Sequence, residues 1–351
     1  MQPLSSKSAP VSLCTDPVAD LNELINKISP DKVFLLTDEH TFLHCLPLIQ
    51  GVKDINKEQT ITIAAGDNFK NTEALASVWQ LLSEKGASRH SLLINLGGGM
   101  PCDLGGFAAA TYKRGIPFIN LPTTLLSMVD ASVGGKTGIN FNGYKNEIGA
   151  FCIADMVLIH TQFLKTLDRD NLLSGYAEML KHALIDSPET LEKLLAIKPD
   201  AISVELLAEL VADSVMVKDR YVEADPLEKG IRKALNLGHT IGHAFESLAM
   251  KKNRPALHGY AVAWGLIPEL KLAVAKKQFS ENITKKTENY INNLYGNHGF
   301  SSEDFEDLFS LMQHDKKNRG DRINFTLLST VGTPEIDINC SKEEIKSAIF
   351  D

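Results

Sequence analysis

The stretch LLINLGGGMPCDLGGFAAATYKRG, residues 92–115, carries the fold in the order of its parts. An aliphatic run gives way to three glycines and then to a small-residue helical segment, the strand–turn–helix unit from which parallel sheets are built. A turn of this kind lets backbone N–H groups approach a pyrophosphate. The G-x-G-x-x-G fingerprint is incomplete, because Cys102 stands where its last glycine belongs and the acidic candidate, Asp38, precedes the glycines. A dinucleotide site and a plain tight turn both remain open on these residues.

Outward from this unit, KVFLLT (32–37), TITIAA (60–65), SLLINL (91–96), IPFINL (116–121) and MVLIH (156–160) read as buried strands. Helical segments such as NTEALASVWQLLSEKG (71–86) fall between them, so a largely parallel, Rossmann-like sheet is expected. After residue 168 the pattern turns to helix upon helix, in SGYAEMLKHALI (174–185), AISVELLAELVADSVMVKDRYVEA (201–224) and GYAVAWGLIPELKLAVAKK (259–277). RINFTLL (322–328) and TPEIDI (333–338) add short strands near the end. A length of 351 residues exceeds what one core usually organises. The expectation is an α/β domain over residues 1–168, a mainly α-helical domain over 169–351, and an active site in the cleft between them.

Composition narrows the function classes. A net charge of -8, with both signs mixed along the chain, argues against a nucleic-acid or anionic-membrane surface. The five cysteines form an odd set without C-x-x-C spacing, and the first residues lack the apolar core of a signal peptide, so a reduced, cytoplasmic protein is expected. No apolar run reaches the roughly 20 residues of a membrane helix.

Two further stretches carry chemistry. LPTTLLSMVDASVGGKTGINFNGYKNEIGAF (121–151) concentrates Thr123, Thr124, Asp130, Gly134, Gly135, Lys136, Lys145 and Asn146. Each alone reads as a turn residue or a solvated charge, but together they suit an anionic ligand better than a core. LNLGHTIGHAFES (235–247) places His239, His243 and Glu246 on one helix face, at i, i+4 and i+7. Glu178 and Lys181 share another helix face, and His258 opens a further helix. Catalytic zinc commonly takes two histidines and one carboxylate. Two competing sets meet that requirement: the local one on residues 239–246, and one drawn from Glu178, His239 and His258.

At this point the chain resembles the sugar phosphate cyclases, and within them the dehydroquinate synthases. The resemblance is carried by GGGMPCDLGGFAAATYKRG, LPTTLLSMVDASVGGKTGIN, YKNEIGAF, SGYAEMLKH, LNLGHTIGHAFES, LHGYAVAWG and HDKKNRG, in family order from residue 97 to 320. It implies that the metal, most simply zinc with cobalt as an alternative, is held by Glu178, His239 and His258, leaving His243 to face substrate. It implies NAD near Asp38, Asp67, Lys70, Gly98, Gly99, Asp103, Thr123, Thr124, Lys136, Lys145, Phe163 and Thr166. Substrate contacts are implied for Asp130, Lys136, Asn146, Lys181, Lys218, Arg232, Asn236, His243 and Lys316, with Arg114 reaching a phosphate across a homodimer interface.

The family substrate, 3-deoxy-arabino-heptulosonate 7-phosphate, carries a carboxylate and a phosphate, which the cation-rich set suits. The implied reaction oxidises C5 transiently with NAD, eliminates phosphate, restores the alcohol, opens the ring and closes a carbocycle by an aldol step. One departure is GDNFK (66–70), with Asp67 where the family usually has glutamate. Rival readings are a cyclase acting on sedoheptulose 7-phosphate or glucose 6-phosphate, a metal-dependent polyol or glycerol phosphate dehydrogenase, and a non-catalytic binding protein.

Overall fold

The computed structural model describes residues 1–5, 10–142, 144–313 and 323–351, the side chain of residue 200 excepted. By its internal contacts the chain divides into two compact units, residues 1–168 with 203–219 and residues 169–202 with 220–351.

In the first unit the strands are β1 (Gln2–Pro3), β2 (Val11–Leu13), β3 (Val33–Asp38), β4 (Thr60–Ile63), β5 (Leu92–Gly97), β6 (Phe118–Pro122), β7 (Lys136–Phe141), β8 (Tyr144–Phe151) and β9 (Met156–Ile159). Seven of them form one sheet in the order β1-β2-β9-β6-β5-β3-β4, parallel throughout except for the β1–β2 pair. All residues of β3, β5 and β6 are buried, as parallel strands covered on both faces require. The expected strands are therefore present, and β7 and β8 add an antiparallel hairpin within residues 121–151, where the sequence marks groups suited to an anionic ligand. The sheet's connecting helices are α1 (Pro17–Ile28), α2 (Glu39–His44), α3 (Thr72–Glu84) and α4 (Gly99–Thr111). The starts of α1 and α3 follow ordinary capping chemistry: Asp16 accepts from the first amides of α1 ahead of Pro17, and Asn71 accepts from Ala74 in α3.

The second unit is built on helices α5 (Arg169–Asp186) and α6 (Pro188–Leu195). Helix α7 (Val204–Ala224) follows in the chain, with its residues to 219 in the first unit. The second unit continues with α8 (His239–Lys251), α9 (His258–Lys277), α10 (Glu281–Tyr295), α11 (Phe305–Gln313) and α12 (Lys342–Phe350), plus the hairpin of β10 (Asn324–Thr330) and β11 (Thr333–Asn339). Helices α5 and α9 approach closely because Gly259 faces the α5 backbone: a Cβ there would lie 1.9 Å from the Ser174 carbonyl oxygen. None of the described helices is long and apolar enough to cross a membrane. The five cysteines are all free thiols.

Candidate active site

In the first unit the glycine turn sits at the carboxyl end of the buried strand β5. Gly98 is the N-cap of α4 and offers no side-chain acceptor, so the first amides of a 13-residue helix lack a side-chain cap. Cys102 lies within α4, its thiol against the Gly97 carbonyl at 3.6 Å. The tight strand–helix packing that a fingerprint glycine provides falls instead on Gly105, where a Cβ would meet Asn95 Oδ1 at 2.0 Å. The neighbouring strand end is tied in by the Thr123 amide, 2.9 Å from the Gly97 carbonyl, and by the Thr124 and Ser127 hydroxyls, 2.9 Å apart. Asp38 ends β3, and its Oδ1 accepts from the Thr41 amide at 2.8 Å, so this carboxylate also caps α2.

Lys70 is buried, with its ammonium 2.5 Å from both Asp103 Oδ2 and Asn146 Oδ1. A lysine only donates, so the Asn146 amide oxygen is the atom turned to Lys70. Asn146 takes a left-handed backbone, φ 50°, the kind of strain that tertiary contacts must hold in place. Burial pushes the Asp103 carboxyl up despite the opposing pull of Lys70. Beside this group, Lys145 lies 3.1 Å from Asp67, and the Asn140 amide donates to the Asp67 carbonyl at 3.0 Å. The shorter carboxylate at position 67 is thus placed next to Lys145. Asp130, on the turn Ser127–Ala131, receives Lys218 at its carbonyl (2.5 Å) and at Oδ1 (2.6 Å). Phe163 is buried edge-on to His160 at 5.3 Å, and the Thr166 hydroxyl donates to its carbonyl at 3.2 Å. Lys136 is exposed at the start of β7, and Arg114 is left-handed, φ 68°, after α4.

The second unit assembles the ionisable cluster. Glu178 and Lys181 project from α5, His239 and His243 from α8, and His258 from the first residue of α9. The Nε2 atoms of His239 and His258 lie 3.4 and 3.5 Å from the same Glu178 oxygen, Oε1, and the Lys181 ammonium sits against Oε2. His243 joins the other two imidazoles, with ring centroids 5.3 and 5.8 Å away and ligand atoms of all three within 4.8 Å of one another. Arg232 is buried and donates to the Pro226 carbonyl at 2.6 Å, and Asn236 donates to Glu228 at 2.8 Å. Lys316 falls outside the described residues.

The electrostatics of this cluster fit a cation. Burial alone would raise the Glu178 carboxyl, but Lys181 and the imidazoles hold it well below the usual range. Burial lowers His239 to about 4, so its ring is neutral. Its Nδ1 lies 3.1 Å from the Leu237 carbonyl, an acceptor only, so Nδ1 carries the proton and Nε2 presents a lone pair. That lone pair faces a carboxylate oxygen that has no well-directed hydrogen-bond donor among the described residues. Two acceptors opposed across 3.4 Å in a sealed place are stabilised by a positive ion between them. For His258, burial acts downward, but the adjoining Glu178 and Glu246 carboxylates raise it to about 10.

Two further acids hold this geometry, Glu246 of the local candidate set and Glu269, which the sequence reading did not single out. Glu246 reaches His258 Nδ1 at 3.2 Å. The fully buried Glu269 accepts from the amides of Gly238 (2.6 Å) and Ile241 (3.2 Å), capping α8 where glycine supplies no cap. A lone acid in the apolar run GLIPELKLAVA, 265–275, was a sequence signal for Glu269. Glu246 was visible on the histidine face, but its partner was not.

Comparison with solved structures places the fold. A 2-deoxy-scyllo-inosose synthase, solved with carbaglucose-6-phosphate, NAD+ and Co2+, superposes with a TM-score of 0.83 at 22% identity, over 97% of this chain and 96% of that one. The 2-epi-5-epi-valiolone synthase of Streptomyces hygroscopicus subsp. jinggangensis, with NAD+ and Zn2+ bound, gives 0.82 at 22% identity, over 99% and 98% of the two chains. The chain shares the fold of these two synthases. In sequence, residues 60–174 match the family profile described as 3-dehydroquinate synthase N-terminal, and residues 175–318 match its C-terminal counterpart. The 3-dehydroquinate synthase of Parabacteroides distasonis is 49% identical over 339 residues, 97% of this chain and 96% of the relative. The chain belongs to the 3-dehydroquinate synthase family.

Proposed function

We propose that this protein converts 3-deoxy-arabino-heptulosonate 7-phosphate into 3-dehydroquinate and phosphate, a carbon–oxygen lyase reaction in the shikimate route to aromatic amino acids. The observation that carries the reading is the opposition of the neutral His239 imidazole and the buried Glu178 carboxylate, with His258 on the same oxygen. This donor set suits zinc and also accepts cobalt. Glu178, His239 and His258 hold the metal in this reading, and Asp38, Asp67, Lys70, Gly98, Gly99, Asp103, Thr123, Thr124, Lys136, Lys145, Phe163 and Thr166 hold NAD. When bound, the metal supplies Lewis acidity at sugar hydroxyls and NAD supplies a hydride acceptor restored within the cycle.

The remaining work falls to the chain's own side chains. Lys70 holds the Asn146 amide by its oxygen, which fixes the side chain proposed to contact substrate. Lys218 fixes the Asp130 carboxylate. Glu228 holds one hydrogen of the Asn236 amide. Arg232, Lys218, Lys181, Lys136 and Lys316 answer the carboxylate and phosphate of the substrate, with Arg114 contributed across a homodimer. His243, beside the metal residues, moves or holds protons at substrate hydroxyls. Residues 1–168 serve as the NAD-binding domain and 169–351 as the metal- and substrate-binding domain of a cytoplasmic enzyme.

The test is incubation of purified protein with the heptulosonate phosphate, NAD and zinc, following phosphate colorimetrically and the carbocycle by mass spectrometry. Stoichiometric phosphate and 3-dehydroquinate with constant nicotinamide absorbance are expected. Steady accumulation of NADH would identify a dehydrogenase instead.

A further inference from the structure

Glu246 takes no part in the reading above, yet it is buried on α8 with Oε2 3.2 Å from His258 Nδ1. We propose that Glu246 is a positioning residue for the metal, which fixes the tautomer of His258 and strengthens its Nε2 as a ligand. The proposal rests on the metal reading of Glu178, His239 and His258.

Three features of the geometry support it. First, Glu246 and His258 come from different helices, α8 and α9, so the pair is not a by-product of local helix spacing. Second, a carboxylate accepting from Nδ1–H leaves Nε2 as the atom directed at Glu178, 3.5 Å away, which is the orientation a shared cation needs. Third, the two imidazoles are backed unequally. His239 donates Nδ1–H to the neutral Leu237 carbonyl at 3.1 Å, whereas His258 donates to a charged group. A charged acceptor draws the ring toward imidazolate character, so His258 becomes the more basic of the two ligands. Glu246 also adds a second negative charge close to the ion, offsetting Lys181 on the far side of Glu178.

A tie between α8 and α9 with no effect on the metal is the rival explanation, and Glu246→Gln separates the two. Glutamine retains an oxygen able to accept from Nδ1–H, and with it the tie between helices, but removes the charge. Zinc affinity is measured by competition with a chromophoric chelator, visible absorption is recorded on the cobalt-substituted protein, and melting is followed without metal. Outer partners of metal-bound histidines are typically worth 10–100-fold in affinity. The expected result is about 10-fold weaker zinc binding in Glu246→Gln and about 100-fold in Glu246→Ala, with a displaced cobalt band in both. Melting of metal-free Glu246→Gln falls less than that of Glu246→Ala, because the hydrogen bond between the helices is kept. Parental affinity and an unmoved cobalt band in Glu246→Gln overturn the proposal. A parent that binds neither ion removes the metal reading itself, and this role with it.

Discussion

Lys181→Met tests the electrostatics of the buried cluster by a prediction with opposite signs for stability and for metal binding. Methionine keeps the reach of the side chain and deletes its charge from a pair sealed from solvent, Lys181 being 1% and Glu178 0% exposed. Removing one partner of a buried ion pair costs about 3–5 kcal/mol, because the other charge is left uncompensated. Here the lower end applies. His258 lies 3.5 Å from the same carboxylate and, raised to about 10, still offers a positive neighbour at neutral pH. In a unit of this size each kcal/mol moves the melting temperature by about 2–4 °C, so the metal-free variant is expected to melt about 6–12 °C below the parent.

A divalent ion bound to Glu178 replaces the lost charge, and Lys181 then becomes a like-charged neighbour of that ion. The variant's loss of stability is therefore smaller with metal than without it. Linkage turns the difference into affinity: a loss of about 3 kcal/mol confined to the metal-free state corresponds to zinc binding up to about 100-fold tighter. Calorimetry in chelator and with excess zinc gives the two stabilities, and chelator competition gives the affinity directly. Turnover should fall in either state, since Lys181 is also proposed to touch substrate. Zinc binding weaker than in the parent, or equal destabilisation with and without metal, would refute the argument.

Metal content separates the two ligand sets: Glu178→Ala and His258→Ala should lose bound zinc and His243→Ala retain it in elemental analysis, and the reverse pattern would restore the local set on α8. Gly259→Ala drives a methyl group into the Ser174 carbonyl of α5, which cannot yield as a side chain would, so the second unit should lose about 3 kcal/mol or fail to fold; unchanged melting would contradict the close approach of α5 and α9. His298 stacks on Phe245 at 4.7 Å and accepts the Phe300 amide at Nδ1, and its burial holds its pKa below the ordinary 6.5. Because the unfolded chain binds this proton more readily, the contribution of His298 is complete above pH 6.5 and is lost as pH falls through the folded value. Melting of the metal-free parent should thus fall on acidification more steeply than that of His298→Asn, which keeps an acceptor but does not titrate.

The parallel sheet was legible because its central strands are buried on both faces and so must be written as unbroken aliphatic runs, as LLINL is in β5. The same physics concealed the β7–β8 hairpin. Nearly all of β8 faces solvent, so no apolar alternation marks it, and its Lys145, Asn146 and Gly149 imitate a loop. The two-residue β1 was invisible for a simpler reason, being too short to show a period and exposed at the sheet edge.

The site divides along a similar line. Helical periodicity states which residues share a face, and His239, His243 and Glu246 do, but it says nothing of what that face meets. Glu178 lies on a helix separated in the chain from α8 by more than α6 and α7, so the residues offered joining them only as one of two sets, and the resemblance to a family favoured that set. Lys70 and Asn146 meet across a sequence separation of 76, through a left-handed residue that no local pattern announces. What sequence reasoning missed most completely is support: Glu246 behind His258 and Glu269 beneath α8. In one dimension Glu246 shows only that it shares a face with two histidines, and Glu269 only that it is a lone acid in an apolar run, so what each supports is not legible there. Burial and geometry supply what was missing: the amides of Gly238 and Ile241 are arranged for Glu269, and Nδ1 of His258 faces Glu246.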